Sequence, residues 1–122
     1  MEQYFYTQQP LRITTDMTNR GYAIDEEGFL IDPDSWDEEF ARLVASDESL
    51  ELSDDHWALI RATRAFYLEY GFSPSMRPLV QFVGTTLGPE LGRSIYLMRL
   101  FPPSPARLLS RLAGLHKPKN CL

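Results

Sequence analysis

Apolar positions change their spacing once along this chain, near residue 32. Before that point two short runs, 22–24 and 29–31, flank Asp25-Glu26-Glu27-Gly28. Apolar runs on both sides of a four-residue turn closed by glycine predict a β-hairpin. Beyond it the spacing turns helical. Asp32 is placed as an N-cap, with Pro33 at the first helical position. Trp36, Phe40, Leu43 and Val44 then share one face, and this helix is expected to end near Ser46. Ser53 caps a second helix whose first turn holds Asp54 and Asp55, where the helix dipole favours negative charge. That helix carries Trp57, Ile60, Ala65, Phe66 and Tyr67 and stops at Gly71, a residue suited to the left-handed position after a helix. A third helix is expected over 74–83, closed by Gly84. Gly88-Pro89 opens a fourth segment with Ile95, Tyr96 and Leu97, which Pro102-Pro103 breaks. The last helix runs from about Pro105 to Ala113, between Ser104 and Gly114.

The fold class that follows is mainly α: a small helical bundle of about five helices, with an N-terminal β-hairpin and a flexible C-terminal arm. Residues 1–18 are polar and mixed, and are expected to form an extension as a loose arm or one short strand. Residues 19–114 form the helical domain. Residues 115–122 contain Pro118 and little that can pack, so they are expected to be a mobile arm. No internal repeat or low-complexity segment interrupts this order.

Composition is consistent with one globular domain. The chain has 122 residues, 43% hydrophobic and 24% charged. A chain of this length buries roughly two-thirds of the surface its unfolded form exposes. No apolar run approaches the ~20 residues that span a bilayer. The N-terminus has neither the basic nor the apolar region of a secretory signal. A single cysteine cannot form an internal disulfide, so a reducing cytoplasm is the expected compartment.

Charge is uneven. Net charge is −5, yet residues 91–122 hold six bases and no acid: Arg93, Arg99, Arg107, Arg111, Lys117 and Lys119. This end is either a solvated basic face or a docking face for a partner. Of the six, Arg107, Arg111, Lys117 and Lys119 are the candidate partner-binding residues. The acidity of the whole chain argues against tight nucleic-acid binding.

Most chemical motifs are absent. The glycines of LGPELG match neither the dinucleotide nor the phosphate-loop spacing. Asp25, Glu26 and Glu27 lack the alternating ligands of a calcium loop. His56 reads as a surface or capping histidine. His116 and Cys121 are only two candidate zinc ligands where four are needed, so no metal and no cofactor is expected. A helix-turn-helix reading of 57–84 finds only Arg61, Arg64 and Arg77 as basic groups, which makes DNA binding the least favoured function.

Cys121 remains, the only thiol, with one residue after it. A prenylation box needs its cysteine four residues from the end, so that explanation fails. The bland reading is an incidental surface thiol. Three points weigh against it. Exposed thiols are reactive and are generally avoided without a use. Lys117, Lys119 and His116 are nearby groups that favour the nucleophilic thiolate. The stretch from Gly114 to Cys121, if extended, reaches roughly 23–25 Å, enough to enter another protein's active site.

The segments DEEGFLIDPDSWDEEFA (25–41), LSDDHWALI (52–60), YGFSPSMRPLV (70–80), LGPELGRSIYLMRLFP (87–102) and AGLHKPKNCL (113–122) together resemble the TusE/DsrC sulfur-carrier family. The resemblance covers about residues 20–122 and ends on that family's penultimate cysteine. It implies a small, mainly helical domain with a hairpin and a mobile arm, whose cysteine accepts sulfur as a persulfide and passes it on. Cys121 is then the catalytic residue of a persulfide-carrying sulfurtransferase.

In the TusE branch the donor is a TusBCD complex and the sulfur reaches the enzyme that makes 2-thiouridine in tRNA. In the DsrC branch, whose donor is a DsrEFH-like complex, a second cysteine lies ten residues upstream. Here Arg111 stands there, so two-cysteine chemistry is excluded. Ser104 and Arg107 replace the Gly and Lys of the family's FPxGPxK segment, His116 replaces a Pro, and Gln81 stands where a Lys is common. The expected partners are a protein sulfur donor and a protein sulfur acceptor, with no membrane. Two alternatives stay open: a single-cysteine DsrC-like protein of dissimilatory sulfur metabolism, and a non-catalytic regulatory or interaction module.

Overall fold

A computed structural model of the chain describes residues 16–119. Among these residues the architecture is helical: a 3-10 turn at Pro33–Ser35 followed by α1 (Glu38–Asp47), α2 (Asp54–Tyr70), α3 (Met76–Leu87), α4 (Ser94–Leu100) and α5 (Pro105–Leu112). None of the helices is long and apolar enough to cross a membrane.

The shortest strongly amphipathic element sits in the middle. Helix α5 packs against each of the other four helices, and α2 also packs against α3. Every residue of α5 except Arg107 is buried. Leu109 and Leu112 have no exposed surface and join Phe40, Val44, Leu59, Leu79, Val83, Leu97 and Phe101 in one core. Burying each such side chain contributes about 1.5–3 kcal/mol. The last helix, whose Arg107 and Arg111 were expected on a solvated or docking face, is therefore the axis of the bundle.

The 22–31 segment is a turn held by one isolated antiparallel bridge, Ile24 to Leu30, instead of a hairpin of two strands. Its backbone bonds run from Asp25 N to Phe29 O (2.8 Å) and from Ile31 N to Ala23 O (2.9 Å). The Asp25 carboxylate accepts from the N–H groups of Glu27 and Phe29, which tightens the turn. Phe29 and Leu30 are then drawn fully into the interior.

Three boundaries differ from expectation, each for a local reason. The helix expected from Asp32 to Ser46 is broken at Trp36, whose backbone is extended. Asp32 caps the 3-10 turn by accepting from Asp34 N, and Asp37 caps α1 by accepting from Phe40 N. Two capping aspartates five residues apart start two elements. Helix α3 runs through Gly84 to Leu87. Gly84 is interior because the 88–93 loop folds back on it: a Cβ on Gly92 would strike the Gly84 backbone. Finally, residues 16–19 are helical and Met17 is fully buried, so the packed body begins before residue 19. Residues 1–15 of the expected extension lie outside the described residues.

The second helix matches its expected limits. Ser53 and His56 form a capping box, and Gly71, at φ +82°, takes the left-handed cap position. His56 is a capping residue and is buried rather than on the surface. Its Nε2 lies 3.0 Å from the Leu100 carbonyl, which can only accept, so Nε2 carries the proton and Nδ1 accepts from the Ser53 N–H.

Candidate functional site

Helix α5 ends in a Schellman motif. Gly114, at φ +73°, donates to the Arg111 carbonyl (3.2 Å), and Leu115 donates to the Ser110 carbonyl (2.9 Å). Two side chains from far away in sequence satisfy the next carbonyls. The Trp36 indole N–H donates to Leu112 O at 2.8 Å, and the Arg64 guanidinium donates to Ala113 O at 2.8 Å. Arg64 also lies over the Trp36 ring, 4.4 Å from its centroid, and donates to Pro33 O. Cations and N–H donors are favourable at a helix C-terminus because the carbonyls there carry partial negative charge. Burial lowers the Arg64 pKa, with Asp34 and Tyr67 acting in the opposite sense. The root of the arm is thus bolted to the bundle.

The arm itself was expected to be mobile from Leu115 onward. Its described part, 115–119, lies against the body. Leu115 is fully buried in the core and Pro118 is also buried. The Ser73 hydroxyl donates to His116 O at 2.6 Å. His116 Nε2 donates to Ile31 O at 2.7 Å, the direction again fixed because a carbonyl only accepts. Lys117 Nζ pairs with Glu27 at 3.1 Å. The 25–31 turn forms one wall of this seat and the α2–α3 loop the other. Between the loop and the arm lies a groove of roughly 620 Å³, bordered by Tyr67, Phe72, Ser75, His116 and Lys119. Cys121 lies outside the described residues, two positions past Lys119.

The four basic residues expected on one docking face are not brought together. Arg111 is only 6% exposed and serves the interior. Its Nη1 meets Asp47 at 2.7 Å and Glu48 at 2.6 Å, and its Nε donates to Gly28 O at 3.1 Å. The reason is electrostatic. Asp47 and Glu48 sit at the C-terminus of α1, where negative charge is unfavourable, and a buried guanidinium compensates both. Arg107 is half-buried over the Phe29 ring, 5.4 Å from its centroid. Only Lys117 and Lys119 stand at the arm, both exposed. Arg93 and Arg99 are exposed on and before α4.

Sequence reasoning missed Trp36, Arg64 and Ser73. Trp36 was visible only as one more residue on an apolar face. Arg64 was weighed only as a DNA contact. Ser73 carried no signal, because its role depends on where the arm returns.

Comparison with known proteins places this geometry. A family model described as "DsrC like protein" matches residues 16–122. The sulfurtransferase TusE homolog of Haemophilus influenzae is 46% identical over 98 residues, covering 80% of this chain and 90% of that protein. Sulfurtransferase TusE of Escherichia coli K12 is 43% identical over 98 residues, with the same coverage of 80% and 90%. Among solved structures, DsrC of Allochromatium vinosum superposes with a TM-score of 0.75 at 42% identity, covering 83% of this chain and 90% of that one. The oxidized gamma-subunit of the dissimilatory sulfite reductase (DsrC) from Archaeoglobus fulgidus gives 0.70 at 38% identity, covering 83% and 92%. The likeness extends over the whole described body and, in the family model, through Cys121; this chain belongs to the family of DsrC-like proteins.

Proposed function

We propose that this protein is a sulfur-relay carrier that accepts persulfide sulfur on Cys121 and passes it to an acceptor in tRNA 2-thiouridine synthesis. The observation that carries the reading is a rigid root for a short thiol-bearing end. Trp36 and Arg64 fix the end of α5, and the only cysteine lies seven residues after Gly114. The names of the curated relatives, sulfurtransferase TusE, support the same reading.

The chemistry is two exchanges of the thiol–disulfide kind. The Cys121 thiolate attacks the outer sulfur of a donor persulfide. The donor S–S bond breaks, its electron pair leaves on the donor as a thiolate, and a new S–S bond forms on Cys121. An acceptor thiolate then attacks the outer sulfur of the Cys121 persulfide, and Cys121 departs as a thiolate. Sulfur moves with no net oxidation, so no redox cofactor is required. Two residues of chain, at most about 7 Å, separate Lys119 from Cys121. Both partners are proteins, in a reducing compartment such as the cytoplasm.

A second reading, a single-cysteine DsrC-like protein of dissimilatory sulfur metabolism, draws on the DsrC structural neighbours. It shares the thiol and differs in the acceptor. Mass spectrometry after incubation with a persulfide donor tests both. The parent protein gains the mass of one sulfur atom and Cys121→Ser does not. Sulfur retained by Cys121→Ser overturns the assignment of Cys121, and a parent that gains nothing leaves only a non-catalytic interaction module. Thiolation of tRNA reconstituted with the loaded protein separates the two acceptors.

A further inference from the structure

Beside the arm's seat lies a cluster of aromatic rings that the described residues leave partly exposed. Phe66, buried in α2, meets the tilted ring of Tyr70 at 4.6 Å between centroids and the rings of Phe72 and Phe82 edge-on at 5.4 Å each. Tyr70 and Phe72 remain 53% and 55% exposed, and Leu68 on the same helix is 74% exposed. The rings border a depression of roughly 530 Å³, with Pro78, Gln81 and Thr85 on its α3 side. Large apolar side chains held outward in a ring cluster are unusual on a surface with no partner. The rings are already ordered by their mutual contacts, so docking on them costs little further side-chain entropy.

Phe72 joins this depression to the groove along 116–119. That continuity says what covers the patch. Cys121 lies two residues past Lys119, at most about 7 Å of backbone, so a protein that takes the sulfur with 115–119 seated brings a surface close to the Lys119 backbone. A stable interface takes about 800 Å² from each partner, a disc of roughly 16 Å radius. Such a footprint around the arm's end extends over Phe72, and Tyr70 is only 6.5 Å from Phe72, ring to ring.

We infer that the Tyr70–Phe72 aromatic patch is the anchor on which the sulfur-exchanging protein docks. The partner is a protein with a persulfide-bearing cysteine recessed beside an apolar pocket, which takes the two exposed rings while Cys121 enters the recess. The inference rests on the sulfur-carrier reading and adds to it the recognition surface. Anchors of this type, central aromatic rings with a polar rim, carry most of the affinity in protein interfaces. Lys117 and Lys119 form the rim on the arm side.

The test compares two sulfur sources with the full chain. Glutathione persulfide needs no docking surface; a persulfide-loaded TusBCD-type complex from the same organism does. The double variant Tyr70→Ser/Phe72→Ser is expected to load from glutathione persulfide at the parent rate. Its loading from the protein complex at sub-saturating concentration is expected to fall about tenfold or more. Thr85→Arg, on an exposed edge of the depression, is expected to act in the same direction without disturbing the rings, and it decides the matter should circular dichroism show the double variant unfolded. Parent rates from the protein source for these variants overturn the docking face. So does an equal loss from both sources, or a parent that loads from glutathione persulfide and not from the complex. A parent that loads from neither source overturns the carrier reading itself.

Discussion

The indole N–H of Trp36 donates to the carbonyl of Leu112 across 76 positions of sequence, and the Trp36 ring lies directly against Gly114. That contact joins the break between the 3-10 turn and α1 to the end of α5. It also explains why residue 114 has no side chain. A Cβ there would come within 2.8 Å of Trp36 Cβ and Cγ, on a backbone at φ +73° that other residues rarely adopt. Gly114→Ala is expected to destabilise the protein by about 2–4 kcal/mol, from overpacking and left-handed strain together. Trp36→Phe keeps most of the ring and removes the hydrogen bond, at a cost of about 1 kcal/mol. Urea denaturation of both variants checks the order; equal midpoints for parent and Gly114→Ala would remove Trp36 as the lock on the arm's root.

Arg111 is the second internal tie. It holds Asp47 and Glu48 at the end of α1 and the Gly28 carbonyl in the 25–31 turn. Gly28 suits its place because the backbone there has φ +87°, and a Cβ would also press on the Arg111 guanidinium, 2.7 Å from Nη2. Arg111→Met is expected to cost about 3 kcal/mol, because two carboxylates then remain at an unfavourable helix end without their partner. Adding Asp47→Asn and Glu48→Gln to that variant should recover part of the loss. A double-mutant cycle in urea reads the coupling, and its absence would mean that Arg111 contributes through its packing alone.

These two ties show what was legible in the sequence. Helix α2 was read to the residue at both ends, because Ser53 and Gly71 are local signals that act through their own backbone. The family was legible from ordered motifs. The inversion of α5 was not. Its sequence, Pro105 to Leu112, has two arginines and reads as a basic flank, yet only Arg107 reaches the surface. Whether an arginine is a solvated charge or a buried clamp depends on what packs against it, here Asp47 and Glu48 from a helix more than sixty residues away. The seated arm was missed for the same kind of reason. Leu115 looked like the start of a tail, and its burial follows from the turn at Gly114, which points it back to the core.

Tyr22 makes stability depend on alkaline pH. It is buried, packs edge-on against Phe40 at 5.1 Å between centroids, and donates its hydroxyl to Asp37. Burial first, and then the Asp37 hydrogen bond, push its pKa up from 10.0 to about 12. The folded state therefore holds this proton more tightly than the unfolded state does. Ionising Tyr22 in the fold therefore costs stability: the linked stability is fully present below pH 10 and falls as pH rises to about 12, by on the order of 2 kcal/mol, most of it the penalty on a buried phenolate rather than the worth of the hydroxyl. Tyr70 and Tyr96 are raised too, by hydrogen bonds to Glu69 and Asp55 respectively. Tyr22→Phe is expected to lower stability at neutral pH by about 1 kcal/mol and to flatten the decline between pH 10 and 12. Unfolding free energies across that range decide it; an unchanged slope would assign the alkaline limb to other groups.

The basic end keeps a smaller role than its six charges suggested. With Arg111 internal and Arg107 half-buried, Lys117 and Lys119 are the cations that stand exposed along the described arm. Lys117 is shared with Glu27 at 3.1 Å, an exposed pair that holds it only weakly. Both are exposed to a protein that approaches the described arm. Charges at the rim of an interface act mostly on the rate of encounter, and salt screens them beyond about 8–10 Å. Reversing both, as Lys117→Glu/Lys119→Glu, is expected to slow sulfur transfer from a protein donor about threefold to tenfold at low ionic strength. At high salt the parent and the variant should converge, because the variant loses steering and not the aromatic anchor. That outcome would assign an acidic entrance to the partner. If the variant transfers sulfur at the parent rate in dilute buffer, the two lysines are a solvated face, and docking rests on Tyr70 and Phe72 without electrostatic guidance.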